Sequence, residues 1–396
     1  MRDESADVRG MNTTPLIAAV LLAATGSASA QVELIDLLPG YTLGGMHGLS
    51  ADGSTLAVDM FINDSVAYDA YAWRGGAWGS LPRYDRFNNW QGISGDGRTT
   101  LSVSSDWGQD GHLVRVENGV RDTVTFANGG RRIHGALTRD GQTVFYSLQP
   151  EIFASDQFVE LYRYRADSFP GVLVATLSDR FVGGGGLVAG DRDDLFAIEA
   201  QIEQSALGVG GMTRAVIYDA GNLIELPTLT NADVVHFGVS AMTADGSVVV
   251  GTESSRGIDD FDAVYKSWIY RDGTLGELTV AGFSQLSILS ITDDARAMVG
   301  SAMTDTGEYG SFLFYDAARA YSAEQLLAGS GVTLGAGEHA SIGGISADGS
   351  TVYGAILRGT SSQFGPDWTL FTVAVPAPGG ASAFALAGLL AARRRR

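Results

Sequence analysis

The chain has 396 residues, a formal net charge of −19, 45% hydrophobic and 18% charged residues, and no cysteine. That balance describes a globular chain of one large domain or two to three ordinary ones, not a disordered one. It excludes disulfides, thiolate metal sites and a cysteine nucleophile; the acidic surface argues against nucleic acid, and a single lysine, Lys266, argues against Schiff-base chemistry.

The chain opens with an address. Leu16 to Thr25 reads "LIAAVLLAAT", followed by "GSASA" and Gln31. Ala28 and Ala30 make the small-x-small pattern of a signal-peptidase site, so residues 1–30 read as a signal peptide cleaved before Gln31. The apolar run is too short for an ordinary membrane span. Met11 offers a second start, downstream of the only two arginines, Arg2 and Arg9, that precede the run.

A repeat fills residues 31–375. "GLSADGSTLAV" begins at Gly48, "GISGDGRTTLSV" at Gly92, "GALTRDGQTVFY" at Gly135, "SAMTADGSVVVG" at Ser240, "LSITDDARAMVG" at Leu289 and "GISADGSTVYG" at Gly344. A degraded copy, "GLVAGDRDDLFAI", begins at Gly186 and places Asp193 in the series Asp52, Asp96, Asp140, Asp245, Asp294 and Asp348. An apolar strand, a turn with Asp-Gly and a β-branched strand make each copy a hairpin, the glycine supplying the positive φ. A turn aspartate that bonds its own backbone needs no catalytic explanation.

A second hairpin follows in each unit, as in "YAWRGGAWGSL" from Tyr71 and "SWIYRDGTLGEL" from Ser267. Four strands in about 44–54 residues is the period of a β-propeller blade. Seven units are counted, with six plus a cap, or eight, as alternatives. The seventh unit runs out of chain after "DWTLFTVAV", and "QVELIDLL" near the start matches the missing strand. Val32–Leu38 is therefore expected to complete the last blade, joining the ends of one all-β domain.

Residues 376–396 close the chain with Pro376-Ala377-Pro378, an apolar stretch from Ala381 to Ala392, and Arg393, Arg394, Arg395 and Arg396. A short apolar helix held by arginines on the cytoplasmic side is a stop-transfer design. This tail resembles the PEP-CTERM sorting signal of exosortase-bearing bacteria, with alanine where that family has glutamate. The resemblance implies signal peptidase and an exosortase-type enzyme as partners in transit, transient membrane anchoring, and a fate at the cell surface or in the extracellular matrix. The repeats resemble the HAF-repeat family of extracellular propellers in their first hairpin. The second motif survives as aromatic strands such as Tyr71-Ala72-Trp73. That resemblance implies a propeller and no established activity.

Two constellations are candidates for binding. Asp259, Asp260 and Asp262 offer hard oxygen ligands that suit calcium, against the alternative of a solvated loop. His47, His134, His236 and His339 each precede an inner strand, with Trp90 in a similar place, so they would ring one mouth of a central channel and bind a metal or a ligand. No catalytic set is present. The reading is a noncatalytic binding or scaffold module for extracellular polysaccharide or protein; the alternative is a polysaccharide-acting hydrolase or lyase with carboxylates on the loop face.

Overall fold

A computed structural model of the chain describes residues 31–375 apart from 63–67, 82–86, 106–110, 128–131, 150–157, 167, 178–180, 203–211, 231–235, 255–264 and 360–366. The described residues form a seven-bladed β-propeller, each blade a four-stranded antiparallel sheet. Blade 1 runs through Tyr41–Leu49, Thr55–Ile62, Tyr68–Arg74 and Ala77–Ser80. Blade 2 begins with Phe87–Ile93, blade 3 with Ile133–Leu137, blade 4 with Phe181–Ala189, blade 5 with His236–Met242, blade 6 with Phe283–Ile291 and blade 7 with His339–Ile345.

The ring closes as expected. Val32–Asp36 pairs antiparallel with Trp368–Ala374 as the outer strand of blade 7, with Leu34 opposite Phe371. Ala374 N–H donates to Gln31 O at 3.0 Å, extending the pairing by one residue. An edge that would otherwise expose its backbone groups is thereby covered.

The second strand of each blade carries the β-branched and aromatic residues. In blade 5 it is Val248–Ser254, and all seven residues are buried. A neighbouring blade covers each face, so the half from Val248 to Val250 is apolar, while Thr252, Glu253 and Ser254 are polar residues buried toward the other end. The core is accordingly a ring of inter-blade clusters. Phe145 and Phe196 meet at 4.7 Å between blades 3 and 4, and within blade 5 Phe237 stacks on Trp268 at 5.0 Å, both packed in a cluster with Ala197 and Ile217 of blade 4. Between blades 7 and 1, Tyr353, Ala355 and Leu370 pack on Leu56, Val58 and Met60.

Among the described residues one helix interrupts the β pattern. Ala323–Gly329 follows the outer strand of blade 6, buries Leu326 and Leu327, and starts at a capping box in which the Ser322 and Gln325 side chains each bond the other's backbone N–H. The repeat pattern gives no sign of it; Ser322-x-x-Gln325 is its local signature.

Candidate binding mouth

The two ends of the ring differ in what holds them. At one end lie the turns between first and second strands, and six of them share one hydrogen-bond set. In blade 1, Ser50 Oγ donates to Asp52 Oδ1 at 2.6 Å, the same oxygen accepts from Ser54 N–H at 3.0 Å, and Thr55 N–H donates to Ser50 Oγ at 2.9 Å. Ser94/Asp96, Thr138/Asp140, Thr243/Asp245, Thr292/Asp294 and Ser346/Asp348 repeat it, with hydroxyl-to-carboxylate distances of 2.6–2.8 Å. These aspartates are turn formers. Backbone N–H groups of Arg98 and Ser247, with the hydroxyls of Ser94 and Thr243, hold the Asp96 and Asp245 carboxyls below their usual range. At Asp52 and Asp348 burial opposes the same bonds and is outweighed.

Blade 4 departs from the set, and here the expected alignment shifts by one residue. Leu195 opens its second strand as Val248 opens that of blade 5, so Arg192, not Asp193, stands at the turn-aspartate position, and Gly190 stands where the hydroxyl belongs. Asp193 instead accepts from Arg165 Nη1 at 2.5 Å, and Arg192 bonds Asp194 and Asp219.

The turns also bond one another. Gly95 N–H donates to Arg139 O at 2.6 Å, Asp191 N–H to Ala244 O at 2.5 Å, Asp293 N–H to Ala347 O at 2.9 Å, and Ala244 N–H to Asp293 Oδ1 at 3.0 Å. Arg139 of blade 3 forms an ion pair with Asp293 of blade 6, across the ring. Turn-to-turn bonds and this pair close the end.

The other end carries unlike side chains on like positions. In blade 1, His47 Nε2 lies 2.7 Å from Asp59 Oδ2. Asp59 is 5% exposed, and its Oδ1 is buried with no hydrogen-bond partner among the described residues. Burial pushes the Asp59 carboxyl up, against the pull of His47. Glu199 occupies the equivalent place, the fifth residue of the second strand, in blade 4. Its Oε1 lies 3.3 Å from Nδ1 of His236 in blade 5, and Thr213 Oγ1 lies 3.1 Å from the same nitrogen while accepting from Phe237 N–H.

Glycine makes room for this cluster. The first strand of blade 4 contains Gly183-Gly184-Gly185-Gly186. A Cβ on Gly185 would stand 3.1 Å from Glu199 Cδ, and one on Gly238 would stand 2.6 Å from His236 Nε2 and 2.8 Å from Glu199 Oε2. The inner wall at blade 4 is thus bare backbone over the Glu199 carboxylate. His134 of blade 3 lies within electrostatic reach of Glu199: burial lowers its pKa, Arg132 adds to that, and Glu199 opposes. The Glu199 hydrogen bond raises His236, against burial. The Glu199 carboxylate offers acceptors, and the imidazole and hydroxyl beside it offer donors, to a polar ligand.

The five ring candidates therefore separate. His236 bonds Glu199, which the sequence pattern did not single out, although an acid inside "LFAIEAQI" is its signal, and His134 lies within electrostatic reach of the same carboxylate. His47 pairs with Asp59 in blade 1, and His339 is exposed at the start of blade 7. Trp90 is a core residue: it is buried between blades 1 and 2 against Ala57 and Ala70, with Nε1 donating to Val58 O at 2.8 Å. Among the described residues no group of three or more His, Asp or Glu is arranged to hold a metal ion. Asp259, Asp260 and Asp262 lie outside the described residues, as do Ala28, Ala30 and the tail from Pro376 to Arg396.

No protein-family model and no curated protein matches this sequence. Its fold is similar to solved propellers at low identity. The β-propeller domain of the Trilobed protease from Pyrococcus furiosus aligns over 84% of this chain and 94% of its own, at a TM-score of 0.53 and 10% identity. An oligogalacturonate lyase from Vibrio parahaemolyticus aligns over 88% and 97%, at 0.52 and 12%. A GH74 xyloglucanase from Xanthomonas campestris aligns over 86% of this chain but 55% of its own, at 0.52 and 12%. The chain likewise spans less than two thirds of the length of other chains it matches. At these identities the likeness is one of fold.

Proposed function

We propose that the protein is an exported propeller of the cell surface or extracellular matrix that binds polysaccharide or protein without chemistry, through the end of the ring opposite the locked turns. One observation carries this: the turns close one end by bonding each other, while the polar cluster of Glu199, His236, Thr213 and His134 and its glycine-cleared wall stand toward the other. Rigid scaffold with variable connections on one face is a general design for binding. Export and sorting rest on the residue patterns of 1–30 and 376–396, which also supply signal peptidase and an exosortase-type enzyme as transit partners. Among the described residues no helix is long and apolar enough to cross a membrane.

The test is a glycan and polymer array probed with the purified protein, with and without calcium. Retention of an intact polymer is the expected result. Signal only with calcium would assign the site to Asp259, Asp260 and Asp262; silence toward every polymer removes the polysaccharide half of the reading. Consumption of the polymer overturns the noncatalytic half. One feature favours that second reading. Asp59 is a carboxyl raised by burial, held by His47 and within electrostatic reach of Asp69. A raised acid beside a second carboxylate is the pair that glycoside hydrolysis uses.

A further inference from the structure

The third strand of every blade begins at the loop end of the ring. Its first residue pairs with the last residue of the second strand: Tyr265 with Ser254 in blade 5, Tyr309 close to that strand's end with Met303 in blade 6, Trp368 with Leu357 in blade 7 and Tyr68 with Phe61 in blade 1. All four strands have seven residues, and the last residue of each pairs with the first residue of the second strand, at Val248, Ala297, Thr351 and Thr55. The four aromatics therefore hold one register position on four consecutive blades. In blades 2, 3 and 4 the third strand begins instead with Gly111, Glu160 and Thr213.

Burial does not account for Tyr309 and Tyr265. Tyr309 is 72% exposed and Tyr265 is 42% exposed. Trp368 rests partly on the core between blades 7 and 1, which holds its ring in place. A single exposed aromatic needs no explanation, but recurrence at one register position on neighbouring blades does. Other exposed apolar side chains are scattered: Val120, Val172, Leu173 and Leu34 on outer strands, Leu289 on the inner strand of blade 6 and Phe158 before the third strand of blade 3.

We infer that Tyr265, Tyr309 and Trp368 form an arc that binds a neutral polysaccharide, one sugar face per aromatic residue. The inference rests on the binding-module reading above and names its ligand. A pyranose presents an apolar C–H face that stacks on an aromatic ring while its hydroxyls stay hydrated, and a tyrosine or tryptophan offers both a ring and a polar handle. Aromatic residues set one blade apart suit a polymer that repeats its unit, whereas a protein partner needs one continuous apolar core. Charge selects the class of glycan. The chain carries −19, and Asp305, Glu308 and Asp367 neighbour the arc in sequence, so uronate polymers are repelled.

The test uses the full chain and three probes: mixed-linkage β-glucan, cello-oligosaccharides of rising length, and polygalacturonate, read by affinity electrophoresis and calorimetry. Affinity is expected to rise with oligosaccharide length and to be absent for polygalacturonate. Tyr265→Ala and Tyr309→Ala are each expected to weaken glucan binding about 2- to 12-fold and together to multiply, as for other ring contacts. Both sites are exposed, so the melting temperature should hold; Val120→Ser, on the outer strand of blade 2, is the control that should bind unchanged. Binding by the parent chain with equal binding by the double variant overturns the arc and leaves the binding module standing. Preference for polygalacturonate overturns the choice of a neutral ligand. No binding of any probe by the parent overturns the arc and removes the polysaccharide reading with it.

Discussion

Blades 4 and 5 turn from first to second strand in different ways. In blade 5 the Thr243 hydroxyl donates to Asp245 Oδ1 at 2.8 Å and accepts from Val248 N–H at 3.1 Å, while Gly246 takes φ +71°. Every bond lies within five residues. In blade 4 Gly190 has no hydroxyl to offer, Arg192 replaces the aspartate, and the turn is held by Arg192 to Asp194 and Asp219 and by Arg165 to Asp193. Those ion pairs are solvent-exposed and contribute little stability. The difference teaches that the turn motif stabilises a hairpin locally, and that a ring of seven tolerates one blade without it when its neighbours clamp it. The odd blade is also the one that carries the four-glycine run and Glu199 toward its opposite end.

The largest effects should come from exchanging the two turns. Gly190→Thr introduces the residue that the repeat prefers, yet a Cβ there would stand 2.5 Å from the Ala244 backbone oxygen. A backbone atom cannot step aside as a side chain can, so a loss of about 3 kcal/mol is expected in denaturant melts. In blade 5, Thr243→Val keeps shape and removes the hydroxyl, leaving Val248 N–H and Asp245 Oδ1 short of a partner, at a cost of about 2 kcal/mol. A neutral or stabilising Gly190→Thr would show that blade 4 can adopt the common turn after all.

Blade 6 sharpens the comparison with a smaller gain. Five turns place glycine at positive φ, but blade 6 places Ala295 there at φ +54°. Ala295→Gly relieves the Cβ strain of a left-handed residue and should stabilise by about 1 kcal/mol, visible as a higher melting temperature. No change would mean that the surrounding bonds, Thr292 to Asp294 and Ala297, already absorb the strain.

The smallest effect is a pair of opposite pH dependences. Backbone and hydroxyl donors depress Asp245, so its contribution is present above the unfolded carboxyl value of about 4 and is lost as pH falls through the folded value. Asp191 in blade 4 is raised, burial first, so it costs stability as pH rises from about 4 through its folded value. Asp245→Asn should lower the melting temperature at pH 7 and flatten its acid limb. Asp191→Asn should raise the melting temperature at pH 7, with the gain vanishing near pH 4. Shifts of the same sign in both variants would break the contrast between the two turns.

The candidate mouth was less legible than the fold. His134 and His236 stand out in the sequence as rare residues before inner strands, and the structure sets His236 on a carboxylate that His134 feels electrostatically. Glu199 does not stand out, because an acid within a strand reads as a solvated position until the neighbouring blade is in place. Trp90 misleads for a related reason: a ring at the start of an inner strand looks like a channel residue, but its indole lies against Ala57 and Ala70 of blade 1. The aromatic positions on the third strands are plain letters in the chain. Their equivalence appears only when register is counted from the paired second strand, since a slip of one residue would send each ring to the other face.

By itself the sequence determined the elements whose bonds join residues close along the chain. Ser50 to Asp52, Thr138 to Thr143 and the paired positive φ values of Asn118 and Gly119 span five residues or fewer, so composition and spacing carry them. It also determined the closure, because Val32–Asp36 had to supply the outer strand that blade 7 lacks. Only the tertiary structure decided which blades meet. It turned Arg139 toward Asp293 and set Glu199 of one blade beside His236 of the next. Those contacts join residues far apart in the chain, and no local pattern encodes a partner whose position depends on how seven sheets divide the circle.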